Sequence, residues 1–160
     1  IVFKTPADNR TDYIKRLIGI PGDSVQIIDG ILYLNNKKTE RNKLNSIESV
    51  KCGNETIDVD IYEEILPNKI KYKAAYKTDG TMLNTDEFIV PENHFFFMGD
   101  NRDCSRDSRF LNSVGYVHVN NIVGKARIIF FSNNTNKGKF YQFWKWNKSI
   151  RSERFFKKIK

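Results

Sequence analysis

Residues Asp12–Asp23 read DYIKRLIGIPGD, and this stretch decides how the N-terminal part of the chain folds. Apolar residues on both sides of a charged pair, Lys15 and Arg16, are typical of a β-strand. Ile20–Asp23 then predicts a turn, because proline presets one backbone dihedral and glycine accepts a positive one. Neighbouring strand residues point to opposite faces, so one of the two cations shares a face with Tyr13. A lysine there faces either a cleft or an exposed sheet edge that it guards against aggregation.

The sequence on either side predicts more strands joined by tight turns. Ser24–Ile28 alternates, Asp29-Gly30 is typical of a two-residue hairpin turn, and Ile31–Leu34 returns. Twelve Phe, seven Tyr and two Trp also favour strands over helices. We therefore expect a mainly β, antiparallel fold with a twisted or barrel-like body. Further strands are predicted at Ile70–Tyr76, Phe88–Val90, Phe95–Met98, Val114–Val119 and Ile122–Phe131.

The chain divides by composition into a body, an inserted lobe and a tail. A length of 160 residues allows one core with an attached lobe. We assign residues 1–38 and 87–136 to the β body and residues 39–86, rich in Asn, Glu, Lys and Ser, to an irregular lobe. Four acidic residues within Ile57–Ile65 predict a solvated face.

The basic charge of the chain lies in its tail, residues 137–160. This segment holds nine Lys or Arg and one Glu, a sum of +8, which equals the net charge of the whole chain, so residues 1–136 are neutral. Within it, 140–160 mixes aromatic and basic residues, which suits a membrane surface best. A nucleic-acid arm and a segment packed on the core remain alternatives, and we expect no nucleic-acid partner.

Three features limit the class of protein. No apolar run is long enough to span a membrane and no signal-peptide pattern is present. Cys52 and Cys104 are far apart and show no CxxC spacing, so a long-range disulfide is possible but free cysteines are favoured. With only two histidines, we expect no zinc site and no other metal or organic cofactor.

A second motif, MGDNRDCSRDSR at Met98–Arg109, carries eight side chains that are charged or bear a hydroxyl. As a simple polar loop, it would pair Asp107 with Arg109 and use Ser105 to cap a turn. An ordinary turn does not require so many of these groups, so the motif predicts a functional site.

Together, DYIKRLIGIPGD and GDNRDCSRDSR resemble bacterial type I signal peptidases, membrane-bound serine proteases with a Ser-Lys dyad. The flanks Val2–Lys4, Val90-Pro91, Phe96–Met98 and Ile122–Ala126 also resemble that family, and the likeness covers residues 1–36 and 87–130. It implies the signal-peptidase catalytic fold and an endopeptidase that removes N-terminal signal peptides from secreted preproteins after small-x-small sites. It also implies the bacterial inner membrane, with the catalytic domain on the periplasmic or outer face.

The resemblance also implies roles for individual residues. Lys15 matches the family's general base, and Ser105 matches the serine whose hydroxyl hydrogen-bonds the lysine amine. Asp107 and Arg109 match a supporting ion pair, and Arg16 an arginine beside the base on the opposite strand face. The remaining matches are a substrate-binding strand at Asp12, Tyr13 and Ile14, and a turn shaping the site wall at Gly99, Asp100, Asn101 and Arg102.

The sequence departs from the family pattern in three places. Cys104 stands where Asn is usual, and His118 stands where Pro is usual. The third departure concerns the nucleophile, which in the family lies upstream in a Ser-Met-Pro-Thr-like motif that this sequence does not contain. We therefore expect the chain to be part of a longer protein and inactive alone.

A lysine base requires a dry site, because the pKa of a free lysine is about 10.4. Burial disfavours the ammonium, and a fall to about 8 corresponds to roughly 3 kcal/mol. Asp107 must then pair with Arg109 and not with Lys15, since an opposite charge would raise the pKa of the lysine. Two alternatives stay open: another Ser-Lys protease, such as a self-cleaving repressor or a pilus maturation peptidase, and a non-catalytic β-domain that binds membranes or nucleic acid.

Overall fold

The computed structural model describes residues 1–77, 83–133, 139 and 141–159, apart from the side chains of Asn45, Ser46 and Lys145. Parts of the predicted lobe and tail, at residues 78–82, 137, 138, 140 and 160, lie outside the described residues. The chain forms two compact units, Ile1–Gly124 and Lys125–Lys160. Residues 125–133, which the composition assigned to the body, therefore belong to the same unit as the described part of the tail.

The first unit is built almost entirely of β-strands. Within its described residues, a single 3-10 helix spans Val119–Asn121. The strands are β1 (Val2–Lys4), β2 (Asp12–Ile14), β3 (Arg16–Gly19), β4 (Ser24–Ile28), β5 (Ile31–Leu34), β6 (Lys37–Lys38), β7 (Glu40–Cys52), β8 (Glu55–Ile65), β9 (Lys71–Lys77), β10 (Phe88–Ile89), β11 (His94–Met98), β12 (Val117–His118) and β13 (Ile122–Gly124).

These strands form four open sheets whose strand pairs are all antiparallel, which confirms the predicted mainly β fold. The strand orders are β13-β1-β2, β10-β4-β5-β6, β12-β11-β3 and β7-β8-β9. The sheets as described do not close into a barrel. The run Asp12–Asp23 contributes to two of them, since β2 and β3 lie in different sheets with Lys15 between them.

Local sequence fixes the predicted hairpin between β4 and β5. Asp29 and Gly30 have φ angles of 49° and 70°, and two consecutive positive values are what a tight two-residue turn needs to match the twist of the strands. The turn at Ile20–Asp23 also forms, with Gly22 at φ 85° and the Asp23 N–H donating to Ile20 O at 2.9 Å.

Strand β11 separates two hydrophobic clusters because its side chains alternate between faces. Phe96 and Met98 belong to a larger cluster with Ile18, Val25 and Leu32 among its members. Phe97 faces the other way and stacks on Phe3 at 4.6 Å between ring centres. Both faces of β11 are therefore buried, and this holds the start of the second motif in place.

The inserted lobe is not irregular as predicted. β7, β8 and β9 form a regular meander, in which Val59, Ile61, Tyr72 and Ala74 are buried. Strand pairing along most of the meander, interrupted by a register shift between Lys43 and Ile47, supplies the regularity that composition does not suggest. Two other predictions were too long: of Val114–Val119 only Val117-His118 is a strand, and of Ile122–Phe131 only Ile122–Gly124.

The second unit contains little regular structure. A short helix, α1, spans Trp146–Ser149, and 3-10 helices span Phe143–Lys145 and Ser152–Arg154. Isolated antiparallel bridges join Ile128 to Lys158 and Asn133 to Ile150. In the described part of the whole chain, none of the helices has the length and apolar character needed to cross a bilayer.

Candidate active site

Lys15 lies at the bend between β2 and β3, where its backbone pairs with Ile1. Lys15 N–H donates to Ile1 O at 3.0 Å, and Ile1 N donates to Lys15 O at 2.6 Å. The half-buried side chain passes the ring of Tyr13, whose centre is 5.4 Å from Nζ. Nζ then donates a hydrogen bond of 2.6 Å to Ser105 Oγ. The structure thus brings together two residues that are 90 positions apart in sequence.

Gly99 makes room for Ser105. A Cβ atom at position 99 would lie 2.0 Å from Ser105 Oγ and 2.3 Å from its Cβ, which no side chain tolerates. The resemblance placed Gly99 in the site wall, and the structure shows that its missing side chain leaves the space that the Ser105 side chain occupies.

Asp107, one of the two carboxylates nearest in sequence to Ser105, is held away from the lysine amine by an arginine. Arg109 donates to Asp107 through Nε at 2.8 Å and Nη2 at 2.9 Å, and Gly99 N–H donates to Asp107 Oδ2 at 2.8 Å. Asp107 is completely buried. Among the described residues, Lys15 Nζ has no carboxylate within ion-pair distance, because Asp107 is used in this bidentate pair.

The surroundings lower the pKa of Lys15 below its ordinary value of 10.5. Loss of solvent around the amine is the main cause, since it disfavours the ammonium form. Asp107 and Asp100 act in the opposite direction, and the Arg109 charge assists the lowering of the pKa. The site therefore favours a neutral lysine amine more than water does.

Arg16 and Lys15 diverge, as their adjacent positions require. Arg16 forms a bidentate pair with Asp100, with Nε–Oδ1 at 2.6 Å and Nη2–Oδ2 at 2.8 Å. Its guanidinium also stacks on the Tyr72 ring, 4.1 Å from the ring centre. Among the described residues, Asp100 therefore forms its ion pair with Arg16 and not with Lys15.

Arg102 anchors the motif to the inserted meander. Its Nη2 donates to Glu64 Oε2 at 2.8 Å and to the Tyr72 hydroxyl at 2.8 Å, and its Nη1 donates to the Tyr76 hydroxyl at 2.8 Å. Both phenols donate to Glu64. The predicted solvated face is wrong at this point, since Glu64 and Asp60 are buried.

Burial raises the pKa of Tyr72 and raises the pKa of Tyr76 to about 12, despite the opposing charge of Arg102. Both phenols therefore stay protonated and able to donate to Glu64. Sequence reasoning missed this cluster, although the sharing of one face by Tyr72 and Tyr76 was readable from their even spacing.

Backbone pairing also joins β9 to the motif. Ala75 N–H donates to Asp100 O at 2.7 Å and Arg102 N–H to Ala75 O at 2.9 Å, a short parallel bridge between Ala75 and Asn101. The Asn101 side chain accepts from Cys104 N–H at 3.3 Å. The inserted meander therefore forms one wall of the site.

The two cysteines form a disulfide, so the expectation of free cysteines is wrong. Cys52 ends β7 and Cys104 directly precedes Ser105. The antiparallel meander brings its β7–β8 turn to the motif, with the two Cα atoms 5.5 Å apart, a geometry that sequence spacing cannot reveal.

The predicted substrate strand, β2, lies at the edge of its sheet. Only β1 pairs with it in the sheet order, so one side of β2 is an open edge among the described strands. Ile14 is exposed, Tyr13 packs near Phe3, and Asp12 pairs with Lys4 at 3.1 Å. The described residues contain no cluster of three or more His, Cys, Asp or Glu side chains that could hold a metal ion.

The fold and this lysine–serine site are accompanied by a clear family match. Residues 1–131 match the model of the family described as signal peptidase, peptidase S26, so the chain belongs to this family. Signal peptidase I of Rickettsia typhi (strain ATCC VR-144 / Wilmington) is 38% identical over 175 residues, which cover 99% of this chain and 64% of that protein. Signal peptidase I of Rickettsia canadensis (strain McKiel) is 43% identical over 140 residues, covering 82% of this chain and 50% of that protein.

The chain thus spans 64% of the length of the first relative and half of the second. Among solved structures, a signal peptidase I from Enterococcus faecalis V583 matches with a TM-score of 0.44 and 27% identity, covering 79% of this chain and 91% of that one.

Proposed function

We propose that the whole protein is a serine endopeptidase of the signal peptidase I type, which removes N-terminal signal peptides from secreted preproteins, with Lys15 as its general base. The observation that carries this proposal is the 2.6 Å hydrogen bond from the half-buried Lys15 amine to Ser105 Oγ, with no carboxylate at the amine among the described residues. Membership of the signal peptidase family supports it.

In this proposal, Lys15 moves the protons of an acyl transfer. The neutral amine takes the proton of a nucleophilic serine as its Oγ attacks the scissile carbonyl, then gives that proton to the leaving amine. A water molecule, activated in the same way, releases the acyl group from the serine. Ser105 accepts a hydrogen bond from Lys15 and holds the amine in the required direction.

The proposal needs a nucleophilic serine besides Lys15. In the family that the sequence resembles, this serine lies upstream of the lysine motif, and we assign the nucleophile of the whole protein to a serine of that kind.

The substrate would bind as an added strand along β2. The open edge of β2 at Asp12–Ile14 ends next to Lys15, so a peptide paired with it would pass the base. Main-chain hydrogen bonds then give affinity, and shallow side-chain pockets select small residues on the acyl side of the scissile bond.

We further propose that the protein acts at the bacterial inner membrane, with its catalytic unit on the periplasmic or outer face and its tail on the membrane surface. The Cys52–Cys104 disulfide supports an oxidising compartment. Tyr141, Phe143 and Trp144 are exposed in a segment rich in basic residues, a combination that suits an anionic interface. Vesicle flotation tests this: Phe143→Ser/Trp144→Ser should reduce binding to anionic vesicles, and unchanged flotation would contradict the tail assignment.

The test of the proposed chemistry is Lys15→Ala in the whole protein. We expect turnover of a peptide with an Ala-x-Ala cleavage site to fall by at least about 10²–10⁴-fold, the range for loss of a general base. Ser105→Ala should weaken turnover without abolishing it. Lys43→Ala is the matched control, because Lys43 pairs with Asp60 at 2.7 Å in the meander and should leave turnover unchanged. Full activity of folded Lys15→Ala protein would overturn the assignment.

A further inference from the structure

The disulfide ends on the residue that precedes Ser105. Cys104 lies in the segment Asp103–Arg106, which belongs to no strand, and Cys52 is the last residue of β7. The resemblance to signal peptidases places Asn at position 104, so this covalent link is not part of the motif that the chain shares with its family. Because the disulfide ends next to Ser105, it can restrain the backbone that carries the Ser105 side chain.

Both ends of this segment are firmly anchored, and its middle at Cys104 has weaker noncovalent contacts. Upstream, Arg102 is fixed by Glu64, two tyrosines and a backbone bridge to Ala75. Downstream, Asp107 is fixed by Arg109 and by Gly99 N–H. Between these anchors, Asp103 accepts from Lys77 N–H at 2.7 Å. The noncovalent contacts of Cys104 are weaker: its N–H donates to Asn101 Oδ1 at 3.3 Å, which is long for N–H···O, and its sulfur lies 3.9 Å from Lys51 O.

Ser105 depends on this central part of the segment. Its hydroxyl accepts from Lys15 at 2.6 Å and rests over the space left by Gly99. A catalytic group must be held to within about 0.5 Å to act well. The Lys15 hydrogen bond and the packing on Gly99 act on the Ser105 side chain, whereas a covalent bond at the adjacent residue restrains the backbone that carries Ser105.

We propose that the Cys52–Cys104 disulfide is a positioning bond of the active site, which fixes Ser105 against Lys15 by tying the motif to the β7–β8 turn. The inference rests on the proposed function. It also gives the inserted meander a role in the site: β9 anchors the motif at Arg102, and the turn after β7 anchors it at Cys104. Without the bond, Ser105 moves away more often and water reaches the lysine amine.

The experiment compares the whole protein with its Cys52→Ser/Cys104→Ser variant by labelling lysines with acetic anhydride across a range of pH, read residue by residue by mass spectrometry. We expect the apparent pKa of Lys15 to lie below 10.5 in the disulfide-bonded protein and to move upward in the variant, because water then solvates the ammonium. Lys43, exposed and far along the meander from the disulfide, is the internal reference and should keep its titration in both proteins.

Kinetics on the same two proteins separate positioning from folding. We expect kcat to fall about tenfold with KM nearly unchanged, which lies within the range expected for misplacement of a catalytic group, and the acid limb of the pH profile to move to higher pH. Ser49→Ala is the matched control: it removes a hydrogen bond to Asp58 in the same hairpin but leaves the disulfide intact, and should change neither measurement.

The outcomes are distinguishable. An unchanged, lowered pKa of Lys15 in the double variant would overturn the positioning role and leave the proposed function standing. An ordinary lysine titration in the disulfide-bonded protein would overturn the proposed function as well. If the variant does not fold, the native protein treated with a phosphine reductant gives the same comparison, and unfolding on reduction would show a bond needed for folding and overturn the proposal.

Discussion

Lys15 and Arg102 are two cations withdrawn from water at the same loop, and their surroundings treat them in opposite ways. Around Arg102, burial alone would lower the pKa, but Tyr76, Glu64 and Tyr72 outweigh it and the pKa is raised. Around Lys15 the contacting group is a neutral hydroxyl, so desolvation prevails and the pKa falls. The comparison shows that partner chemistry, more than burial itself, decides which cation keeps its proton.

The same comparison distinguishes a cation that stabilises the fold from a cation that can act as a base. A guanidinium balanced by a carboxylate and two phenols holds the inserted meander to the motif but has no proton to exchange at neutral pH. An amine balanced only by a hydroxyl contributes less to stability and is available as a base. The Asp107–Arg109 pair keeps the two environments distinct, since Arg109 occupies the carboxylate and also donates to Arg102 O at 2.5 Å.

The largest effect on stability is expected from removing Arg102, whose charge is balanced by its buried partners. Arg102→Met leaves Glu64 buried without its counter-charge, so we expect the free energy of unfolding to fall by about 3–5 kcal/mol. Urea denaturation measures this loss. Adding Glu64→Gln should recover part of it, because the buried charge is then also removed. Arg106→Met, at an exposed arginine of the same loop, is the control and should change stability little. If Arg102→Met loses no more stability than Arg106→Met, Arg102 does not hold the motif to the meander.

A smaller effect is expected from filling the space under Ser105. Gly99→Ala places a methyl group 2.0 Å from Ser105 Oγ, and relieving this overlap should cost about 1–3 kcal/mol. The serine moves off the lysine, so activity of the whole protein should fall as well. Gly124→Ala meets nothing within 4 Å and is the matched control.

A second substitution sharpens this prediction. Gly99→Ala combined with Ser105→Gly removes the overlap, so stability should return while activity does not. If Gly99→Ala alone is as active and as stable as Gly124→Ala, the loop places Ser105 elsewhere than described.

The sequence predicted the body of the molecule better than its lobe. The hairpin Ser24–Leu34 and strand β11 were readable because turn residues and alternation are local signals. The irregular lobe was a wrong prediction because polar residues on a long meander resemble a loop in composition. Its regularity comes from pairing between β7, β8 and β9, which no local window contains.

The site residues also divide into those that the sequence identified and those that it missed. Motif resemblance named Lys15, Ser105, Asp107 and Arg109, and the structure brings these four together. It could not name Glu64, because a buried acid in a polar segment is identified only by the arginine that reaches it across 38 positions. The disulfide was missed for the same reason, since its geometry arises from the meander and not from spacing.

The smallest expected effect is the contribution of Lys15 to the pH dependence of stability. The folded-state pKa of Lys15 lies below its unfolded value of 10.5, so between these two values the unfolded chain binds more protons and stability rises with pH. Relative to Lys15→Met, the native chain should therefore gain stability as pH rises through that window, by less than about 1 kcal/mol because the half-exposed site is screened. Urea denaturation at several pH values from 7 to 10.5 measures the difference.

Lys43→Met is the control for this slope, since pairing with Asp60 raises the pKa of Lys43 above 10.5 and places its window beyond the range measured. The stability difference between the native chain and Lys43→Met should then stay flat from pH 7 to 10.5. Slopes of the same sign and size in both variants would mean that Lys15 sits in water like any surface lysine. The contrast between Lys15 and Arg102 would then disappear, and the lowered pKa on which a lysine base depends would have no support.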